Sequence, residues 1–559
     1  MKAIFLFLLN TVIGAFSLSA QNAPVRKVWD KTFGGKGDDF ISTILPTADG
    51  SYLLGGYSHS NKSGDKSANN KGDTSIFISS DIWIIQIDAQ GNKLWDKTLG
   101  GNGEDNLRTM LHTPDGGYLL GGTSGSNKSG DKSEDSKGYV DFWIIKIDAQ
   151  GNKLWDKTLG GSDEDMLTSM LATSDGGFLL GGTSWSKKGG DKSEDRINFD
   201  PKYPGDYWII KIDAQGNKLW DKTLGGNFTD DLNAMTPTTD DGFLLGGSSN
   251  SNRSGDKSDN RKNMNSLYPL FDYWIIKVDA QGNKLWDKTL GGQGDDNLNA
   301  MLLTSDGKFL LGGISDSQKN EDKSENNRDT IFKDTPDYWI IKIDAQGNRL
   351  WDKTLGGTQT EYLYGAMLTS DNGSLYGGPS WSKRGMDKSE NNNSNRFPDF
   401  WIVKIDPQGN KQWDKTLGGN NDDGHDGRGT GSRFVILPTD TGILLGGYSN
   451  SDKSGDKSDD CRGGYDFWII KLTTNPDGIT ETTDLAHGLK VYPNPSDGTL
   501  TVSHPDNYTL DLFDVKGSLL RTLPVQDSTT ELTGLATGLY LLRVTTVSGK
   551  TLTQKIVVN

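Results

Sequence analysis

WIIKIDAQGNKLWDKTLGG, residues 143–161, returns letter for letter at 208–226, and a third copy from Trp274 differs by one methylene. The stretch has two apolar arms around Ala-Gln-Gly-Asn, which is a hairpin pattern. The segment before the second copy, MLATSDGGFLLGGTS at 170–184, has another pair of arms around Asp-Gly. Turn signals this close together leave no space for helices, so one unit reads as four antiparallel strands, A to D.

The unit repeats along the chain. WDK occurs at Trp29, Trp95, Trp155, Trp220, Trp286, Trp351 and Trp413, spaced 60 to 66 residues apart. A strand C pattern like DYWIIKID places tryptophans at 83, 143, 208, 274, 339, 401 and 468, and the two sets hold fourteen of the sixteen tryptophans. Seven such units predict an all-β fold, a seven-bladed β-propeller. A solenoid is the competing way to stack repeats. The ends of the array favour the propeller. It opens on an orphan strand D, VWDKTFGG, and closes on DFWIIKL at 466–472, a strand C without its D. Pairing the two completes a seventh blade, closed by the N-terminal strand. Strands C and D then form the outer half of each blade, buried on both faces. The Gly pair ending strand B, such as Gly181 and Gly182, predicts that a large ring lies on bare backbone, and the strand C tryptophan is the expected ring.

Composition narrows the partners. The 559 residues are 33% hydrophobic, carry 72 glycines and have a formal net charge of −16. Such a polyanion disfavours nucleic acid and anionic membrane surfaces, and suits cations or neutral polar ligands. The start, MKAIFLFLLNTVIGAFSLSAQ, reads as a signal peptide over residues 1–20, and no later segment is apolar for long enough to span a membrane. Cys461 is the single cysteine, so intrachain disulfides are excluded.

Ligands of propellers usually sit where the D–A and B–C connections emerge. Four residues past each Gly-Gly after strand D stand Asp39, Asp105, Asp165, Asp230, Asp296, Glu361 and Asp423. These acids read either as a ring for sugar hydroxyls, a cation or a cationic partner, or as acceptors for the backbone of their own turns. The B–C loops repeat a DKS core at Asp65, Asp131, Asp191, Asp256, Asp322, Asp387 and Asp456. These are Ca²⁺ candidates or Asx-turn formers; the dense acidic spacing of an EF-hand is missing. Positions that break the repeat are the sharper candidates. Trp185 and Trp381 open two B–C loops and suit stacking on a sugar face or a partner's side chain, or else packing down their own loop. The last D–A loop, residues 420–433, is long and contains His425 and Arg428. No nucleophile elbow, zinc-binding helix or phosphate loop is present, so no catalytic residue is assigned.

The last seventy residues change character. Short alternating strands with Gly turns predict a small Ig-like β-sandwich. Tyr492-Pro493-Asn494-Pro495, Gly498, Asp514-x-x-Gly517, Gly538-Leu539-Tyr540-Leu541 and Lys555-Ile556-Val557-Val558 occur in the order of a known family. This segment resembles the type A C-terminal sorting domain of the Bacteroidetes type IX (Por) secretion system. The resemblance implies export to the outside, partnership with the type IX machinery through residues 490–559, and a secreted or surface-attached product. The repeats themselves are similar to units common in secreted Bacteroidetes proteins. The expected organisation is a signal peptide at 1–20, a propeller at 25–472, a linker at 473–489 and the sorting domain at 490–559. The expected function is extracellular binding or adhesion, with a glycan or a surface protein as ligand. The alternatives are a polysaccharide-degrading hydrolase or lyase on the same scaffold, and a purely structural surface component.

Overall fold

The computed structural model describes residues 25–72, 79–197, 205–263, 270–329, 335–425, 433–473, 490–492, 496, 498–503, 508–514, 519–525, 529–546 and 551–558. The expected signal peptide, the expected linker apart from Thr473, and Arg428 lie outside the described residues. The chain divides into two compact units, Met1–Thr474 and Asn475–Asn559. Every regular element among the described residues is a strand.

In the first unit, β1 (Arg26–Phe33) is followed by β2 (Asp39–Pro46), β3 (Tyr52–Ser58), β4 (Asp81–Ile87) and β5 (Lys93–Leu99). β2 to β5 form one four-stranded antiparallel sheet in the order A, B, C, D. Five more sheets of the same order follow, ending at Lys411–Leu417. Val435–Thr439, Gly442–Ser449 and Asp466–Thr473 supply strands A, B and C of a further sheet, whose fourth strand is β1. There Phe33 lies opposite Phe467 and Trp29 opposite Lys471. Consecutive sheets touch through their A strands, and β2 also touches Val435–Thr439 and Gly442–Ser449. The arrangement is propeller-like.

Strand C is buried along its whole length, in keeping with its continuous apolar letters. Each strand C tryptophan donates its indole N–H to the aspartate of a WDK motif: Trp83 to Asp96 at 3.0 Å, Trp208 to Asp221 at 3.0 Å, and Trp468 to Asp30 of β1 at 3.0 Å. The same carboxylate accepts the backbone N–H of the DKS serine, as with Ser67 and Asp96 at 3.0 Å. WDK therefore ties strand C, strand D and the B–C loop together. In six of the seven sheets an aromatic ring precedes the tryptophan and packs on the tryptophan of the next sheet, as Phe142 on Trp208, Tyr207 on Trp274 and Phe467 on Trp83, with centroids 4.9–5.1 Å apart; Ile82 takes that place before Trp83.

The Gly pair of strand B does not receive a tryptophan, contrary to the sequence reading. A Cβ on Gly181 would lie 2.4 Å from Met235 Sδ of the next sheet, and one on Gly247 would lie 2.9 Å from the Tyr207 hydroxyl of the preceding sheet. Strand A methionines and the ring before the tryptophan need that space.

The second unit has two sheets. Lys490–Tyr492, Leu500–Ser503 and Thr529–Leu532 form one; Leu519–Val525, Tyr508–Asp514, Gly538–Thr546 and Thr551–Val558 form the other. Leu500, Leu532, Leu510 and Val544, drawn from both, share one apolar core.

Asp30→Ala removes the acceptor of Trp468 and of the Ser458 amide, where β1 meets the last strand C. Stranding these donors should destabilise the first unit by about 2–4 kcal/mol. Urea denaturation followed by tryptophan fluorescence measures it; a change below about 0.5 kcal/mol would show that this tie is dispensable.

Candidate functional site

The acids that follow strand D are interior groups. Asp39, Asp105, Asp165, Asp230, Asp296, Glu361 and Asp423 are all 0% exposed. Asp39 accepts the Gly35 amide at 2.7 Å and the Ser60 hydroxyl at 3.0 Å, and Asp165 accepts those of Gly161 and Ser186 at 2.7 and 2.9 Å. Their reading as a ligand-facing ring is corrected: the turn geometry consumes them, and burial removes them from solvent.

The DKS aspartates take the other glycine. Asp65 accepts the Gly34 amide at 3.2 Å, Asp131 that of Gly100 at 3.2 Å and Asp191 that of Gly160 at 3.0 Å. Asp256, Asp322, Asp387 and Asp456 do the same for Gly225, Gly291, Gly356 and Gly418. Among the described residues, no three His, Cys, Asp or Glu side chains gather as a metal ion would require. These carboxylates hold loops, and the structure gives no support to the Ca²⁺ reading. Chelation with EDTA should leave the melting temperature of the folded protein unmoved; a fall of several degrees, reversed by Ca²⁺, would restore that reading.

A third set of carboxylates escaped the sequence reading. Asp81, Asp141, Asp206, Asp272, Asp337, Asp399 and Asp466 open strand C, and each is at most 1% exposed. They lie against the glycine pairs: a Cβ on Gly34 would come 1.7 Å from Asp466 Oδ1, and one on Gly160 would come 1.8 Å from Asp141 Oδ1. Each interacts across a sheet seam with the acid that follows strand D, as in Asp466 with Asp39, Asp81 with Asp105 and Asp399 with Asp423. Burial, reinforced by the facing carboxyl, raises Asp39 and Asp81 to about 7 and Asp423 to about 8, and burial reinforced by Asp456 raises Asp399 to about 7. At one seam burial and the charge of Glu361 raise Asp337 to about 9, and burial also raises Glu361. The DKS lysines also face these pairs, and burial lowers Lys66, Lys192 and Lys388 to about 8.

Folded-state values above those of the unfolded chain mean that the folded protein binds more protons. This contribution to stability is complete below about pH 4 and is lost as pH rises through the range of about 6 to 8. The lysines act the opposite way, but only above about pH 8. The WDK aspartates Asp30, Asp96, Asp156, Asp221 and Asp287, whose lysine, amide and indole partners hold them low against burial, withdraw support only on further acidification. The urea midpoint should therefore fall from pH 5 to pH 8; a midpoint that rises over this interval would contradict shared protons at the seams.

One cleft interrupts the repeat, with a volume of about 620 Å³. Tyr362, Trp381 and His425 are its aromatic walls, and Thr358, Gln359 and Thr360 line its polar side. Trp381 meets His425 edge-on at 4.7 Å, and Tyr362 lies parallel to His425 at 6.0 Å. The B–C loop of the preceding sheet contributes Asp329, which accepts the Thr335 hydroxyl at 3.1 Å. The local cause is Pro379, in strand B of the same sheet. The Tyr362 amide donates to the Pro379 carbonyl at 3.0 Å, but proline has no N–H to return the bond. Strand A is accordingly short there, Gly365–Leu368.

Two of the sequence candidates, Trp381 and His425, meet in this cleft. Trp185 does not join them. A Cβ on Gly205 would approach its ring within 3.2 Å, and its carbonyl accepts from Arg196 at 3.3 Å, so it packs down its own loop. Tyr362 was missed, although the sixth copy departs from the pattern without a change of length, with GGTQTEYLYGAML in place of letters like GGSDEDMLTSML.

Residues 490–559 match the family model "Secretion system C-terminal sorting domain". Among curated proteins, the chain is 26% identical over 170 residues to the regulatory protein FlaEY of Caulobacter vibrioides, covering 30% of this chain and 18% of FlaEY. It is 32% identical over 71 residues to beta-agarase D of Zobellia galactanivorans, covering 13% of this chain and 15% of the agarase. The chain thus spans less than a fifth of either relative. A solved structure, PorZ of Porphyromonas gingivalis, described as a surface component of the type IX secretion system, aligns at 11% identity. That alignment covers 94% of this chain and 60% of PorZ, with a TM-score of 0.33.

Proposed function

We propose that this chain, which carries a type IX secretion C-terminal sorting domain at residues 490–559, is a closed seven-bladed propeller that binds an extracellular glycan. The sorting domain makes it a secreted or cell-surface protein that meets the type IX machinery through this tail, and no helix among the described residues is long and apolar enough to cross a membrane. The observation that carries the binding reading is the cleft at Tyr362, Trp381 and His425. There aromatic faces stand beside hydroxyl and amide groups, the pairing that takes a sugar's C–H face and its hydroxyls together. Hydrolysis of a glycoside normally uses two carboxyl groups, and of the described residues lining this cleft one, Asp329, is acidic. This favours binding over turnover. A surface protein presenting a polar, aromatic-compatible patch is the second ligand class for the same walls.

Glycan-array binding by the intact chain, with Trp381→Ala and Tyr362→Ala as variants, tests the reading. Binding should weaken at least about tenfold in each variant while the unfolding free energy from urea denaturation stays within about 1 kcal/mol of the parent. Loss of polysaccharide chain length on incubation would replace it with the hydrolase or lyase reading.

A further inference from the structure

In the second unit the sheet of Leu519–Val525, Tyr508–Asp514, Gly538–Thr546 and Thr551–Val558 turns one face to the core and the other to water. Leu510, Leu512, Leu542 and Val544 point inward and are buried. Alternation then sends Thr509, Asp511, Arg543 and Thr545 outward, the polar-out pattern of a half-solvated antiparallel sheet. At one end of the same face the pattern fails. Phe513 lies directly opposite Leu519 on one side and Leu541 on the other, so three apolar side chains stand in one row across three strands. Leu519 is 55% exposed and Leu541 44%, with half-buried Phe513 between them. Leu520, also exposed, is the extra residue of a β-bulge beside the row.

The row is held in shape from within the same face. Arg543 lies over the Phe513 ring at 4.7 Å, and Asp511 fixes that guanidinium at 2.8 Å while accepting the Thr522 hydroxyl at 2.7 Å. An ordered ring between two leucines is a preformed contact surface, because little side-chain freedom is left for it to lose on binding. The flanking charges of Asp511 and Arg543 cancel, so the patch is neutral in a chain of net charge −16. The first unit differs. Its exposed leucines stand one to a sheet, each directly before a WDK tryptophan, as Leu94 and Leu154 do. Single apolar residues are ordinary on a surface, whereas a cluster marks a contact. Among the described residues of the second unit, the exposed large hydrophobics Leu519, Leu520 and Leu541 all belong to this one cluster.

What covers this face follows from what the unit is. Residues 490–559 are a type IX secretion sorting domain, so this unit is the part of the chain that meets the type IX machinery. Leu519–Val525 is also an edge strand, and natural sheets blunt an open apolar edge unless a partner uses it. We infer that Leu519, Phe513 and Leu541 are the face by which the sorting domain seats in an apolar groove on a protein of the type IX machinery, with Asp511 and Arg543 at its polar rim. This surface is independent of the glycan reading of the first unit.

The test expresses the full chain in a Bacteroidetes host with an active type IX system and reads the share of product outside the cell. Deletion of residues 490–559 sets the zero of the assay. The double variant Leu519→Thr, Leu541→Thr keeps β-branched, strand-forming side chains and removes the apolar row. Its exported share should fall at least about tenfold. Leu94→Thr, the same change at an exposed leucine of the first unit, should export like the parent. Leu519→Met with Leu541→Met keeps the apolar contact and should export within about twofold of the parent. Amide hydrogen exchange on the purified full-length variants should leave Tyr508–Asp514 and Gly538–Thr546 as protected as in the parent. Full export of the threonine double variant would overturn the inference. Lost protection in that variant, with the methionine variant also retained inside the cell, would assign the leucines a structural role and overturn it too. A parent chain that is dimeric in solution and monomeric in the threonine variant, with export unchanged, would give the face to a second copy instead.

Discussion

Two successive glycine amides at the end of each strand D, turned inward and cut off from water, are the constraint on which the rest of this propeller-like unit depends. A buried N–H must find an acceptor. The first amide is met by the DKS aspartate of the B–C loop, the second by the acid opening the next strand A. Neither residue can be anything but glycine, because the strand C carboxyl occupies the place of the first Cβ and a serine the place of the second: on Gly34 it would meet Asp466, on Gly35 Ser60. One backbone requirement thus recruits three carboxylates, a loop and a serine in each unit.

The consequence is a large buried charge at each seam, and protons are the means of tolerating it. Two carboxyls and a lysine in a poorly solvated place approach neutrality if one carboxyl keeps its proton. The direction of every resolved shift in these sets agrees: the paired acids are raised and the lysines lowered. The WDK aspartates Asp156 and Asp221, each with a lysine, an amide and an indole as donors, are held low instead. Rigidity and proton affinity therefore come from the same groups, and the seams become tighter as the medium becomes more acidic.

Much of this was legible in the letters. The four-strand unit, its repetition and the pairing of β1 with the last strand C followed from turn signals and from the orphan halves at each end. The acids past Gly-Gly were legible as a repeated feature, but their direction was not, since a turn carboxylate and a ligand-facing one have the same spacing. Partners from adjacent sheets were also invisible. Gly181 owes its smallness to Met235, more than fifty positions away, and nothing local distinguishes that from a tryptophan. Of the candidates that break the repeat, Trp185 and Trp381 look alike as sequence; a glycine under one ring and a histidine against the other separate them.

That separation shows where function can reside on a repeat scaffold. Each unit satisfies its own backbone with the same side chains, so a repeated polar group is already occupied. A ligand needs groups that the unit does not consume, and these arise where a copy has lost a structural partner. Pro379 removes one amide from strand B, strand A shortens, and Tyr362 lies at the edge of a cleft rather than within a regular ladder. Arg108 stands where Thr168, Asn233 and Asn299 bind the next strand, and it makes no such bond among the described residues. Both departures weaken the scaffold locally. The six seams of aromatic on tryptophan, from Phe467 on Trp83 to Phe400 on Trp468, keep to the repeated pattern while these two positions depart from it.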